Sequence, residues 1–206
     1  MADTSPAASP QPAQPGSPGV HTAAAGDLSR LTIALAAAFQ EDPVFRWLLP
    51  DEATRPARLR RFFAHELRHV LKRGRVSTSG GLAGAALVLP PGAWRTPPHV
   101  AVLQGRPFGI HLPRAAGMLA AIERRHLREP HCYFAYIGVA PDAQGQGLGS
   151  GMMRPTLDRC DAEGLPAYLE ASSERNAALY ERLGFTIVRQ LRFAGSPPVR
   201  LMVRRP

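Results

Sequence analysis

The 206 residues carry 25 basic and 16 acidic side chains, a formal net charge of +9, and are 45% hydrophobic, enough for one folded domain with a real core. Lys72 is the only lysine, and the arginines are scattered rather than blocked, which argues against a nucleic-acid-binding stripe. Cys132 and Cys160 form neither a metal-binding spacing nor a disulfide framework, no apolar run approaches ~18 residues, and the N-terminus lacks the basic-then-apolar order of a secretory signal, so a cytoplasmic protein with no metal and no membrane span is expected.

Residues 1–18, "MADTSPAASPQPAQPGSP", hold almost no large apolar side chain and read as a disordered tail. Residues 19–206 read as a single domain. "VHTAA" suggests a short first strand. In "GDLSRLTIALAAAFQEDP", Asp27 reads as an N-cap, Leu28, Leu31, Leu35 and Phe39 trace one helical face, and Pro43 ends the helix. "RPARLRRFFAHELRHVLKRG" spaces Leu59, Phe62, Phe63, Leu67, Val70 and Leu71 for a second helix, closed by Gly74, with arginines on a solvated face. "GLAGAALVLPPG" is a buried strand before two prolines. Residues 97–113 are punctuated by Pro and Gly and show no clear element. "RAAGMLAAIERRHL" is helical. "HCYFAYIGVAP" is a strand of aromatic and branched residues stopped by Pro141, on which Tyr136 shares a face with Phe134 and Gly138. A glycine loop and a helix over roughly residues 147–163 follow. Then come the strand "PAYLEAS", the helix "ERNAALYERLG" closed by Gly184, and the strands "FTIVRQLRF" and "VRLMVRR". The mixture predicts an α/β or α+β sheet with helices packed on it.

The loop "QGQGLGSGMM" has glycine at 145, 147, 149 and 151. A glycine-rich turn between a strand and a helix start suits a phosphate group, which meets bare N–H groups and the positive end of the helix dipole. A Walker loop is excluded because no lysine lies near. The dinucleotide pattern fails because Ser150 or Met152 stands where its third glycine belongs, which makes Glu170 a decoy for that motif's ribose acid. A nucleophile elbow fails because Leu148 stands where its first glycine belongs.

What fits is Q-x-x-G-x-G at Gln144, Gly147 and Gly149. Together with "YIGVAP" before it and "ERNAALYERLGF" after it, this resembles the acetyl-coenzyme A site of the GCN5-related N-acetyltransferase (GNAT) superfamily. The likeness spans roughly residues 20–204. It is nearest in look to puromycin N-acetyltransferase-like enzymes, which share a proline at the place of Pro155. The resemblance implies a mixed, mostly antiparallel sheet of six to seven strands flanked by helices, and acetyl transfer from acetyl-coenzyme A to an amine without a metal. By the same resemblance the pyrophosphate sits on the N–H groups of Gln146, Gly147, Leu148, Gly149 and Ser150. The pantetheine arm pairs with the strand at Gly138 and Val139, and the Val139 N–H faces the thioester oxygen. Tyr180 is the general acid toward the thiolate, since a phenol stays protonated at neutral pH. Asn176, one turn earlier, holds the arm or the loop.

Many members of the superfamily carry a glutamate base on the strand before the loop; Tyr133 stands at that position. Glu170, at the end of "YLE", is the best carboxylate nearby for the role. Tyr136 with a water chain and His131, expected exposed at a strand edge, are the other candidates. The amine pocket is expected from "FQEDPVFRWLLPD" and residues 92–113, with Glu41 and Asp42 attracting a cation and Phe45 and Trp47 lining the walls. The expected acceptor is a small-molecule amine and the protein a monomer or homodimer. The alternatives are a protein lysine or N-terminal acetyltransferase, and a silent module that only binds the coenzyme.

Overall fold

The computed structural model describes residues 19–206 apart from Gly80; the tail reading of residues 1–18 falls outside the described residues. Its strands are β1 (His21–Thr22), β2 (Arg75–Ser79), β3 (Gly84–Leu89), β4 (Cys132–Val139), β5 (Ala167–Ala171), β6 (Thr186–Leu191) and β7 (Val199–Arg204). They form one sheet in the order β1-β2-β3-β4-β5-β7-β6. Only the β4–β5 pair is parallel. A parallel pair requires a crossover connection, and a helix supplies it here. The helices are α1 (Leu28–Ala38), α2 (Pro43–Leu48), α3 (Arg55–Arg73), α4 (Pro98–Gly105), α5 (Leu112–Glu123), α6 (Leu148–Ala162) and α7 (Glu174–Glu181). The crossover is α6. A mostly antiparallel seven-stranded sheet flanked by helices is the expected class.

Several local expectations are corrected. Pro43 does not end the first helix; it opens α2. Asp42 caps that helix, its Oδ1 accepting from the N–H groups of Val44 (2.9 Å) and Phe45 (3.1 Å), and a proline in the first turn loses no helical bond. Asp27 makes no side-chain cap for α1. Its carboxylate accepts instead from the Ala24 N–H at 2.8 Å, which closes the short turn before the helix. Residues 97–113 are ordered as α4 and a 3-10 segment, Arg106–His111, with Gly109 breaking the turn at φ 54°. Strand β2, "RVSTS", is too polar to show an apolar rhythm, yet four of its five residues are buried.

Helices cover both faces of the sheet. On one face α1, α2 and α3 bury Leu31, Leu35, Phe45, Leu59, Phe63 and Leu67 against Val76, Ala85, Leu87 and Leu89. On that same face α5 sets Met118 on Tyr168, Val199, Leu201 and Val203. On the other, α6 and α7 bury Met153, Leu157, Cys160, Ala177 and Tyr180 over Val88, Phe134, Leu169 and Met202.

A bulge in β4 decides which side chains reach which face. Leu87 lies opposite Tyr136 while the next residue, Val88, lies opposite Phe134, so Ala135 is the extra residue. Tyr136 therefore does not share a face with Phe134. Tyr136 packs with Phe39, Phe62 and Phe63 on the α1–α3 side, and Phe134 and Ile137 pack on the α6–α7 side.

Gly138 lies under α1. A Cβ there would come within 2.9 Å of Leu35 Cδ2 and Phe39 Cε2 and 3.0 Å of the Ala38 Cβ. Its missing side chain thus serves the packing of α1 on β4. Gly151 differs: a Cβ would meet only Val20, at 3.9 Å. In urea titrations Gly138→Ala is expected to lose ~1–3 kcal/mol of stability through overpacking. Gly151→Ala, inside α6, is expected to be neutral or to gain up to ~1 kcal/mol.

Candidate active site

Strands β4 and β5 part company soon after they meet. They pair only through Cys132, Tyr133 and Phe134 with Ala167, Tyr168 and Leu169. Beyond that point β4 pairs with β3 alone and β5 with β7 alone. The Ala140 N–H turns back to the Ala83 carbonyl at 2.8 Å. Backbone groups alternate along a strand, so the Val139 N–H and carbonyl face the opposite way, into the gap. The carbonyl accepts from the Gln144 side-chain amide at 3.0 Å. Gly138, one residue earlier, turns its own N–H and carbonyl toward Ala85 of β3. The free backbone edge expected at Gly138 and Val139 thus falls on Ile137 and Val139.

The glycine loop closes one end of this gap. Gly145 and Gly147 hold φ of 80° and 75°, a left-handed conformation that side chains disfavour. Gly147 caps α6. Leu148 is buried and roots the helix in the core, while Gln144, Gly145, Gln146 and Gly147 are exposed. Gly149 has helical backbone, and a Cβ on it would touch only Val139 Cγ2, at 3.9 Å. Nothing in the fold crowds Gly149, so the open space above it is free for a ligand. The N–H groups of Leu148, Gly149 and Ser150 belong to a first helical turn, which has no internal partner for them. Bare donors, open glycines and a helix start fit a pyrophosphate.

A cavity of about 350 Å³ runs through the gap between the strands. Phe134, Ile137, Leu169 and Tyr180 line it from the α6–α7 side, and Tyr133, Tyr136 and Glu170 from the other. Glu170 Oε2 accepts from the Tyr133 hydroxyl at 2.8 Å. Its Oε1 is buried and has no hydrogen-bond partner. The nearest cationic candidate is His126 Nδ1 at 3.6 Å, beyond hydrogen-bond length. Trp94 stacks on the His126 ring with centroids 4.0 Å apart.

His126 Nε2 lies 3.0 Å from His131 Nε2, and His131 Nδ1 lies 2.7 Å from the Glu129 carbonyl. A carbonyl only accepts, so His131 carries its proton on Nδ1 and accepts on Nε2 from His126. With both rings neutral, the His126 Nδ1 lone pair faces Glu170. Burial holds His131 below the ordinary imidazole pKa. His131 is therefore buried and engaged, contrary to the exposed strand-edge position expected for it.

Tyr180 is buried at the start of the gap, and its hydroxyl donates to no described residue. Burial, and then the charge of Asp42, push its pKa above the ordinary phenol value. Asp42 Oδ2 accepts a short hydrogen bond from Ser172 Oγ. The Asn176 side-chain amide donates to the same oxygen of Ser172, at 3.5 Å. Of the pocket residues expected from the first half, Asp42 and Phe45 line the cavity. Glu41 is exposed and pairs with Arg46 at 3.6 Å. Trp47 packs on Phe193 and under the Arg114 guanidinium.

Glu66 and His126 are among the cavity residues that the sequence reading did not single out, while Trp94 falls in the 92–113 segment expected to supply the pocket. Glu66 had a signal. It falls three and four residues after Phe63 and Phe62, so a carboxylate sits on the apolar face of α3. Burial pushes its pKa up to about 8.

A through-sheet gap with a phosphate loop at one end and an acid–aromatic cavity behind it defines an acyltransferase of the coenzyme A type. Residues 88–185 match the acetyltransferase (GNAT) family model. An uncharacterized N-acetyltransferase of Schizosaccharomyces pombe is 28% identical over 88% of this chain and 81% of its own. A mycothiol acetyltransferase of Streptomyces avermitilis is 34% identical over 84 residues, 38% of this chain and 27% of that protein. A Corynebacterium glutamicum structure, described as histone acetyltransferase HPA2 and related acetyltransferase, superposes with TM-score 0.72 at 26% identity over 92% of this chain and 97% of its own. A Drosophila melanogaster polyamine N-acetyltransferase shares the fold, with TM-score 0.56 at 19% identity over 91% of this chain and 99% of its own. Together these likenesses indicate an N-acetyltransferase, with the match to the acetyltransferase (GNAT) model lying in residues 88–185, just under half of the chain. The likeness to that family implies use of acetyl-coenzyme A. Among the described residues no helix is long and apolar enough to cross a membrane.

Glu66 also makes stability depend on pH. The folded chain holds this proton up to about 8, whereas an ordinary glutamate releases it near 4.5. The unfolded state therefore binds fewer protons across that window, and stability falls as pH rises through it. Glu66→Gln is expected to be more stable than the parent by ~1–4 kcal/mol at pH 8, with a smaller difference at pH 5, in urea titrations.

Proposed function

We propose that residues 19–206 act as one domain that acetylates the primary amine of a small molecule with an apolar or aromatic body. The observation that carries this reading is the orphaned Oε1 of Glu170. It is a buried carboxylate oxygen at the wall of an aromatic cavity, with its other oxygen fixed by Tyr133. Such an atom suits an ammonium N–H, and an ammonium must lose a proton before it can attack.

Acetyl-coenzyme A supplies the acetyl group as a thioester. The loop from Gln144 through Ser150 holds its pyrophosphate on backbone N–H groups, with Gln144 tying the loop to β4 through the Val139 carbonyl. The Val139 N–H, turned into the gap, stabilises negative charge developing on the carbonyl oxygen. Glu170 removes the amine proton. The His126 imidazole stands 3.6 Å from the free oxygen of Glu170 and is held there by His131, which is anchored on the Glu129 backbone carbonyl; the proton then leaves Glu170 to solvent as product departs. Tyr180 donates to the departing sulfur, and its raised pKa keeps the phenol protonated well into the alkaline range. Asn176, through Ser172 and Asp42, fixes the end of β5 beside it.

A cavity of about 350 Å³ walled by α3, α4 and α5 supports a small acceptor over a protein side chain. Its lining includes Asp42, Glu66, Glu123 and Glu170 and, among the described residues, no lysine or arginine, which supports a cation arriving at the site.

Thiol release from acetyl-coenzyme A in the presence of a panel of primary amines tests the reading. Glu170→Gln is expected to lower kcat/KM by ~10²–10⁴ and Tyr180→Phe to lower kcat by ~10². Tyr133→Phe, which only loosens Glu170, is expected to lose about tenfold. Tight coenzyme binding with no turnover on any amine would leave the silent module as the better account.

A further inference from the structure

Glu66 has no part in the chemistry above, and its placement is costly. It is more than nine-tenths buried, it lines the cavity, and no described residue hydrogen-bonds or ion-pairs with its carboxylate. A buried carboxylate without a partner is disfavoured. Across from it stands α4, which packs against α3. From α4, Gln104 lines the same cavity, and its Nε2 is also buried without a partner. Among the described residues no lysine or arginine lines this space, where the imidazoles are His69, one turn after Glu66 on α3, and His126. Of the other carboxylates that line the cavity, Asp42 is engaged by Ser172 and the start of α2, Glu170 is the one assigned to the reacting amine, and Glu123 is only half-buried. Phe62, Phe108 and Tyr136 supply ring faces between, surfaces that attract cations.

We infer that Glu66 and Gln104 form a second polar subsite, which binds a cationic group of the acceptor distal to the amine that is acetylated. The acceptor class is then a diamine or a guanidino-amine, one end at Glu170 and the other at Glu66, on either side of the Tyr136 phenol. This inference rests on the acetyltransferase reading. The site without acceptor favours protonated Glu66, because burial lifts its pKa to about 8. Roughly one molecule in ten is ionised at pH 7, so a docking cation selects the ionised form for about a tenfold penalty. A desolvated, charge-assisted hydrogen bond exceeds that.

The test compares putrescine and agmatine with butylamine and pentylamine by thiol release. The parent protein is expected to favour the dications at least ~10-fold in kcat/KM, mostly through KM. Glu66→Gln is expected to bring that ratio near unity, Glu66→Asp to keep part of it, and Gln104→Leu to reduce it about threefold. A melting-temperature series on the parent protein with coenzyme A gives an independent reading, in which agmatine raises the melting point and butylamine does not. Monoamines used as well as diamines, or a Glu66→Gln variant that keeps the preference, overturn the subsite while leaving the acetyltransferase standing. If no amine is acetylated at all, the acetyltransferase reading itself falls and takes the subsite with it.

Discussion

From Ala135 to Val139, strand β4 has a hydrogen-bonded neighbour on one side only. In the middle of a seven-stranded sheet this leaves backbone donors and acceptors without partners, which folded chains avoid where they can. Two features keep the strands apart. Strand β5 is paired along its whole length with β7, so it follows that strand and not β4. The bulge at Ala135 bends β4 at the point where the two diverge. Everything at the site depends on this opening. It admits a cavity through the sheet, lets side chains from two opposite faces reach one space, and offers the Val139 N–H to whatever enters.

Charge is distributed to match. The chain is strongly basic, and its arginines stay out of the cavity. The deeply buried guanidinium of Arg55 is spent on the carbonyls of Leu49, Pro50 and Gln40, where it fixes the turn between α2 and α3. The cavity keeps carboxylates and aromatic rings. An anionic coenzyme and a cationic amine therefore meet different surroundings on their way to the same gap.

Much of this was legible in the chain. The glycine spacing, "YIGVAP" and "ERNAALYERLGF" are local signals; they located β4, α6 and α7, and they named Gln144, Gly147, Gly149, Asn176 and Tyr180 as candidates. Glu170 was legible because a lone carboxylate ended an apolar strand. The misses have physical reasons. A bulge inserts one residue without any mark in composition, and it moved Tyr136 to the other face from Phe134. The reading of Gly138 failed because a glycine records that something is close, and not what; here it is α1. His126 and His131 meet only through the fold. Glu66 was hidden by the arginines around it, although its helical phase with Phe62 and Phe63 marked it.

The two-sided site has one more consequence. On the proposed reading the proton acceptor, Glu170, works from the α5 face of the sheet, and the proton donor, Tyr180, from the α7 face. Each turnover leaves one side a proton richer and the other a proton poorer. Both groups line the same cavity, so on this reading the enzyme resets by exchange with water that enters it once product has left. The imidazole pair beside Glu170 is anchored on the Glu129 carbonyl, and the Ser172–Asp42 cluster adjoins Tyr180. The sheet thus assigns the two proton-handling groups to opposite faces, while the opening between β4 and β5 joins them in one space.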